Sequence, residues 1–307
     1  MSKTIPLIVC AAMSALLAGC ATSVSYDDGQ RVYNENLSRA KNLADPFGYK
    51  DLRDVKAPDG MNITSDGSLL LDTAGWAANF HAAAGSGFLP GTSNWGSALG
   101  WGLGISLLSS AFAPTPITEK DAAFGYVPLS KASTLIEARN LFAKQWTEAM
   151  ASTLRELYPN AEIETDYADY KKTMLVGAFY VGAVSIKDES IGCFGYKGED
   201  AKRPREDHCT ASIAVFTQKE VLTTPPSYFG GNSEQSYRVA SSSIYTTSGQ
   251  KNAVDWTKIM AASVKYLPEH TVVYVAPHKT VDGKKTPPVV LEKDRINFFV
   301  KPAVQNK

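Results

Sequence analysis

Residues 73–118 form a run of 46 positions without an Asp, Glu, Lys or Arg. Nothing else in the sequence limits the fold so strongly, because so long an uncharged run needs a protein or lipid cover to keep its apolar surface from water. Two apolar segments lie in or beside it, residues 69–84 ("LLLDTAGWAANFHAAA") and 95–113 ("WGSALGWGLGISLLSSAFA"), joined by the turn "GSGFLPGTSN". The "PTP" at 114–116 ends the second segment, since proline lacks the N–H that a helix interior uses.

Three readings of this run stay open. Nineteen helical residues span about 28 Å, close to the apolar thickness of a bilayer. Gly96, Gly100 and Gly104 recur at i, i+4 and i+8, one face of a helix, and Ala74, Ala78 and Ala82 repeat the spacing in the first segment. Small residues at that spacing let a second backbone approach closely. The pattern predicts a Gly/Ala-rich helical hairpin, packing on itself, on a bilayer or on neighbouring protomers. The second reading buries the same hairpin inside a soluble domain, and the third is a loose Gly/Ser loop. A phosphate loop is ruled out: no Lys-Ser/Thr follows the glycines, and the G-x-G-x-x-G spacing is absent.

The first residues bear on where such a run would operate. The chain opens "MSKTIPLIVCAAMSALLAGCATS", with Lys3 ahead of an apolar stretch and small residues after it. That is the plan of a secretory signal, which is excluded from fold reasoning. Its end, Leu17-Ala18-Gly19-Cys20, resembles the lipobox of bacterial lipoproteins. The resemblance covers about twenty residues. It implies diacylglycerol on the Cys20 thiol, cleavage before Cys20 and acylation of the new amine. Several acyl chains anchor a protein stably where one binds only marginally. Residue 21 is Ala and not Asp, which in lipoproteins of this type implies the outer membrane, with the protein facing the periplasm.

Charge and cysteines are compatible with export. Lys plus Arg number 31 and Asp plus Glu 31, so no basic excess exists to attract nucleic acid. Of four cysteines, Cys10 lies in the signal and Cys20 is the expected lipid site, leaving Cys193 and Cys209. An even pair in an oxidising compartment predicts a disulfide. It would close a loop with fifteen residues between the partners, worth about 3 kcal/mol in the chain-entropy account. His208 adjoins Cys209, but the spacing is not that of a zinc site.

Four regions result: a signal at 1–19, a lipidated N-terminus and polar tether at 20–65, the apolar hairpin at 66–118, and a periplasmic α+β domain at 119–307. A short helix is expected in the tether near residues 31–42. In the last region Ser130 or Thr134 can cap a helix running to Leu157, with Glu137 at the capping-box spacing from Thr134. Strands are expected at 161–167, 174–186, 210–217, 237–246, 271–276 and 296–300, and a second helix at 254–266. Strands in succession with few crossover helices predict a largely antiparallel sheet with two helices on one face. The disulfide would staple the connection between the second and third of these strands.

The sequence carries no catalytic signature. His81, His208, His270 and His278 match no paired-ligand spacing, and no G-x-S-x-G occurs. The carboxylates of "EIETDYADY" fall on alternate strand positions, which reads as a solvated face. Aromatic residues in "SYFGGNSEQSYRV" fit a glycan- or peptide-stacking surface and a turn between strands equally well. No cofactor, metal or nucleic acid is implied. The expected partners are the membrane, through acylated Cys20, and other envelope proteins or further copies of the chain. The expected role is structural or assembly work in a cell-envelope complex. A binding module for a lipid, glycan or peptide is the alternative, and an envelope hydrolase has the weakest support.

Overall fold

The strand "AAFGYVP" at Ala122–Pro128 (β3) organises the molecule, because antiparallel neighbours flank it on both edges and protein covers it on both faces. Ala122, Phe124 and Tyr126 point into one hydrophobic cluster; Ala123 and Val127 point into another. The computed structural model describes residues 25–26, 32–56, 64–70, 118–167, 180–193, 209–215, 221–230, 233–247, 254, 256–277, 288–293 and 295–301.

The other described strands are β1 (Ser25–Tyr26), β2 (Ser68–Leu70), β4 (Glu162–Tyr167), β5 (Tyr180–Lys187), β6 (Cys209–Val215), β7 (Val221–Thr223), β8 (Ser236–Thr247), β9 (Thr271–Val275), β10 (Val289–Glu292) and β11 (Arg295–Phe298). Their order is β2-β11-β10-β9-β3-β8-β6-β5-β4, and every pairing along this path is antiparallel. β7 pairs with the start of β8, beyond the end of β6, and β1 pairs in parallel with β7. The fold is the expected α+β class with a largely antiparallel sheet.

Two helices cover one face. α2 (Leu135–Leu157) is capped by Thr134, whose hydroxyl accepts from the Glu137 N–H at 3.2 Å. Glu137 reaches back to the N–H and hydroxyl of Ser133, one residue ahead of the N-cap (2.8 and 2.7 Å). The capping box is therefore shifted by one position, but it satisfies the same kind of orphan donor. The helix buries Ala138, Phe142, Trp146, Ala149, Met150 and Leu154 at the i, i+3/i+4 spacing of an amphipathic stripe. It packs tightly on the sheet at Gly182, where a Cβ would overlap the Thr147 hydroxyl. α3 (Trp256–Ala262) continues as a tighter turn, Ser263–Tyr266, and packs against α2 and β9.

The other face is covered by a region expected to be tether. α1 (Arg39–Ala44) and the turn Asp45–Phe47 lie within residues 32–56, where Leu43, Phe47, Tyr49 and Leu52 are fully buried against Phe124, Tyr126, Tyr274 and Phe299. A few large apolar side chains in an otherwise polar stretch are enough to fix it, since each contributes roughly 1.5–3 kcal/mol on burial. This segment acts as a strap over the sheet. Of the hairpin expected at 66–118, Ser68–Leu70 form the strand β2 and not the start of a helix, paired with β11; residues 71–117, including Gly96, Gly100, Gly104, Ala74, Ala78 and Ala82, lie outside the described residues, as does Cys20.

Candidate functional site

A connected polar network lies where the strap meets the C-terminal hairpin. The strap's N-cap, Ser38, has extended backbone geometry, and its hydroxyl accepts from Lys41 N at 3.0 Å. The same hydroxyl donates to Asp54 Oδ1 (2.6 Å), and Ser38 N–H donates to Asp54 Oδ2 (2.7 Å), closing the strap on itself. Burial raises the Asp54 carboxyl above its ordinary range, against the opposing pull of the Ser38 hydrogen bonds.

One residue on, Arg39 projects from the first turn of α1. Its Nε donates to Glu292 Oε2 at 2.7 Å, and one terminal nitrogen donates to Glu292 Oε1 at 2.8 Å and to the Tyr228 carbonyl at 2.9 Å. Burial works against the Arg39 charge, but the hydrogen bonds and field of Glu292 outweigh it and hold the guanidinium more firmly protonated than usual. Asn297 is fully buried on β11; its amide donates to Glu292 Oε2 and to the Val290 carbonyl, both at 3.0 Å. Asn297 Oδ1 in turn accepts from the Ser68 hydroxyl of β2 at 2.8 Å. The network runs from strap to β10, β11 and the edge strand β2.

Tyr33 closes the outer side, its ring edge-on to Tyr228 with centroids 5.4 Å apart. Burial raises the Tyr33 hydroxyl pKa, reinforced by the negative field of Asp66. Asp66 moves the opposite way. Burial opposes its ionisation, but donors from Thr64 and Ser68 and the charge of Arg39 lower its pKa. Fixed internal partners thus meet Arg39, Glu292 and Asp54. The arrangement is suited to holding three chain segments in register.

The sequence-predicted residues fall in different places. Cys193 and Cys209 form a disulfide with Cα atoms 5.5 Å apart, both side chains buried. It joins the turn after β5 to the first residue of β6, the expected connection. His270 adopts φ 66° at the entry to β9, and its Nδ1 lies 2.9 Å from the Phe229 carbonyl. Its own carbonyl accepts from Tyr126 N–H at 3.2 Å, so it tethers the turn Ser227–Phe229 to the sheet. His81, His208 and His278 lie outside the described residues. Glu162, Glu164 and Asp166 are exposed on β4, and Glu162 pairs with Lys187 at 2.9 Å. The aromatics of "SYFGG" pack internally: Phe229 is buried against Phe47 and Tyr126, and Tyr228 meets Tyr33.

Sequence reading missed Arg39, Glu292, Asn297 and Ser68 altogether. No local spacing links them; Arg39 and Glu292 are 253 positions apart. Among the described residues, no three or more His, Cys, Asp or Glu side chains converge as a metal site would require. Among those residues also, no helix is long and apolar enough to cross a membrane. Compared with known proteins, the chain matches no family model, no curated protein and no solved structure at a significant level.

Proposed function

We propose that the chain is a lipid-anchored lipoprotein of the bacterial outer membrane, facing the periplasm, with a structural or assembly role in a cell-envelope complex. The observation that carries this reading is Leu17-Ala18-Gly19-Cys20, placed at the end of a signal-like apolar stretch and followed by Ala21. The Cys193–Cys209 disulfide supports it, because such bonds persist in oxidising compartments. The assembly role rests on the uncharged run. Among the described residues β2 is an edge strand and ends shortly before the run, and at the run's other end the Thr118 carbonyl accepts from the buried Tyr274 hydroxyl at 2.8 Å. The described chain on either side, Ser68–Leu70 and Thr118, is therefore fixed in the domain. A pair of small-residue faces in that run suits close packing with further copies or with other envelope proteins.

The test is a substitution at the anchor. Cys20→Ser should abolish incorporation of labelled fatty acid and release the protein from membranes, while the disulfide and melting transition stay unchanged. Full membrane retention of a processed, unlabelled Cys20→Ser protein would sink the anchor. For the assembly role, Gly100→Leu should dissociate the complex or oligomer while the folded domain keeps its melting transition. Earlier melting with unaltered association would instead place the run inside the soluble fold.

A further inference from the structure

The two edges of the sheet are finished in different ways. At the β2 edge the preceding turn covers the backbone: Ser68 N–H donates to the Thr64 hydroxyl at 3.0 Å, and the Ser68 carbonyl accepts from Thr64 N–H at 2.8 Å. At the β4 edge the finish is charge. Glu162, Glu164 and Asp166 are exposed at alternate positions, so one face of the strand carries three carboxylates about 7 Å apart. Opposite them β5 sets Lys187, Ser185 and Ala183, one cation for three carboxylates. The other face of β4 turns toward α2. Ile163 packs against the core on the helix side. Tyr167, 39% exposed, donates to Glu148 Oε1 at 2.6 Å, and Lys144 Nζ lies 5.9 Å from its ring centroid. A sheet edge is where an extended peptide can join a fold as a further strand.

We propose that the β4 edge docks an extended segment of a partner protein that carries Lys or Arg at every second position and pairs with β4 as an added strand. Alternate residues of an edge strand direct their N–H and C=O groups away from the sheet, where an added strand meets them. Strands share one residue spacing, so cations at i, i+2 and i+4 of the partner stand beside Glu162, Glu164 and Asp166. The intervening side chains, small or apolar, lie along Ile163, Thr165 and Tyr167 on the α2 side. Opposite charges on neighbouring strands attract and like charges repel. The same carboxylate ladder therefore keeps a second β4 edge away and selects a basic partner. This interface lies in the folded domain and depends neither on acylation of Cys20 nor on the uncharged run.

The test is fluorescence anisotropy of a labelled peptide, alternating Lys with Val and Thr, titrated with the full chain at low ionic strength. Saturable binding is expected, and Glu164→Lys should weaken it about tenfold by turning an attraction into a repulsion. Glu269→Lys makes the same charge change at an exposed position beside β9, five strands away, and should leave the affinity unaltered. N-methylation of one set of alternate peptide amides should abolish binding, and of the other set should leave it, because only one set faces β4. The melting transition of each variant is checked, and Glu164→Gln replaces Glu164→Lys if the latter melts early. Equal weakening by Glu164→Lys and Glu269→Lys would reduce the binding to overall charge and overturn the site. Equal effects of the two methylated peptides overturn strand addition, and a peptide that does not bind at all overturns the proposal outright.

Discussion

Arg39 and Glu292 meet as a two-pronged ion pair, 2.7 and 2.8 Å, with their side chains 16% and 17% exposed. The pair ties the strap, near one end of the described chain, to the hairpin β10–β11 near the other. At this depth the charges are largely withdrawn from water, so the attraction mainly offsets their desolvation. The larger effect is specificity of position: the fork of Arg39 fits both carboxylate oxygens and the Tyr228 carbonyl only when the strap is seated in one register.

Removing one partner is therefore expected to cost more than removing both. Glu292→Gln and Arg39→Met should each destabilise the fold by about 2–4 kcal/mol, because each strands a partner in a low-dielectric site. The double variant should lose less than the sum, with a coupling of roughly 1–3 kcal/mol in a denaturant-based cycle. Simple additivity would mean that the two groups do not act on each other.

Gly125 and Gly182 differ in what blocks a side chain. A Cβ at Gly125 would run into the His270 carbonyl and the Thr271 backbone, which cannot move without breaking the β3–β9 pairing. A Cβ at Gly182 would overlap the Thr147 hydroxyl, with Thr147 Cβ and the Ala143 carbonyl at ordinary contact distance. Gly125→Ala should cost about 2–3 kcal/mol and resist rescue. Gly182→Ala should cost less and recover most of its stability when combined with Thr147→Ala. Thermal melts of the single and paired variants decide between the two.

Tyr49 is fully buried in the aromatic cluster, with its ring 4.7 Å from Tyr274 and 5.4 Å from Phe124. Its hydroxyl has no hydrogen-bond partner among the described residues, and burial drives its pKa far upward. Tyr49→Phe should be neutral or stabilising by up to about 1 kcal/mol, since an unsatisfied buried hydroxyl is a cost. Tyr49→Ala should lose roughly 3–5 kcal/mol through the cavity it leaves. A large loss for Tyr49→Phe in chemical denaturation would reveal a partner for the hydroxyl.

The acid response of the strap region separates two carboxylates by sign. Asp66 has a lowered folded-state pKa. Its contribution is present above the ordinary carboxylate range, near 4, and is lost as pH falls through the lower folded value. Asp66→Asn should therefore be less stable than the parent at pH 7, and the gap should close toward pH 3. Asp54 has a raised pKa, so acidification relieves a cost that its buried charge carries at neutral pH. Unfolding curves for Asp66→Asn that stay equally displaced at pH 7 and pH 3 would contradict the assignment.

Much of the domain was legible in sequence order. The Thr134 cap and the apolar stripe from Ala138 to Leu154 specify α2 locally. Six strand expectations overlap β4, β5, β6, β8, β9 and β11 within a few residues, apart from the start of β5, described from Tyr180 where residue 174 was expected. β3 escaped notice because "AAFGYVP" contains two alanines, a glycine and a proline, and burial on both faces removes the alternation that marks a half-exposed strand. β10, "VVLE", was too short to separate from its surroundings.

By itself the sequence determined what depends on near neighbours: the helix cap, the amphipathic periods, the cystine pair in a short loop, and the signal-like start with its Cys20. Each is set by residues within a few turns or a short loop of one another, where spacing encodes geometry. Only the tertiary structure decided that residues 32–56 are a strap and not a tether, that Arg39 faces Glu292, and that β1 lies on β7. The physical reason is that these contacts join segments far apart in the chain. Their free energy comes from burial and pairing across the finished sheet, and no local pattern of residues records which distant surface will be there to meet them.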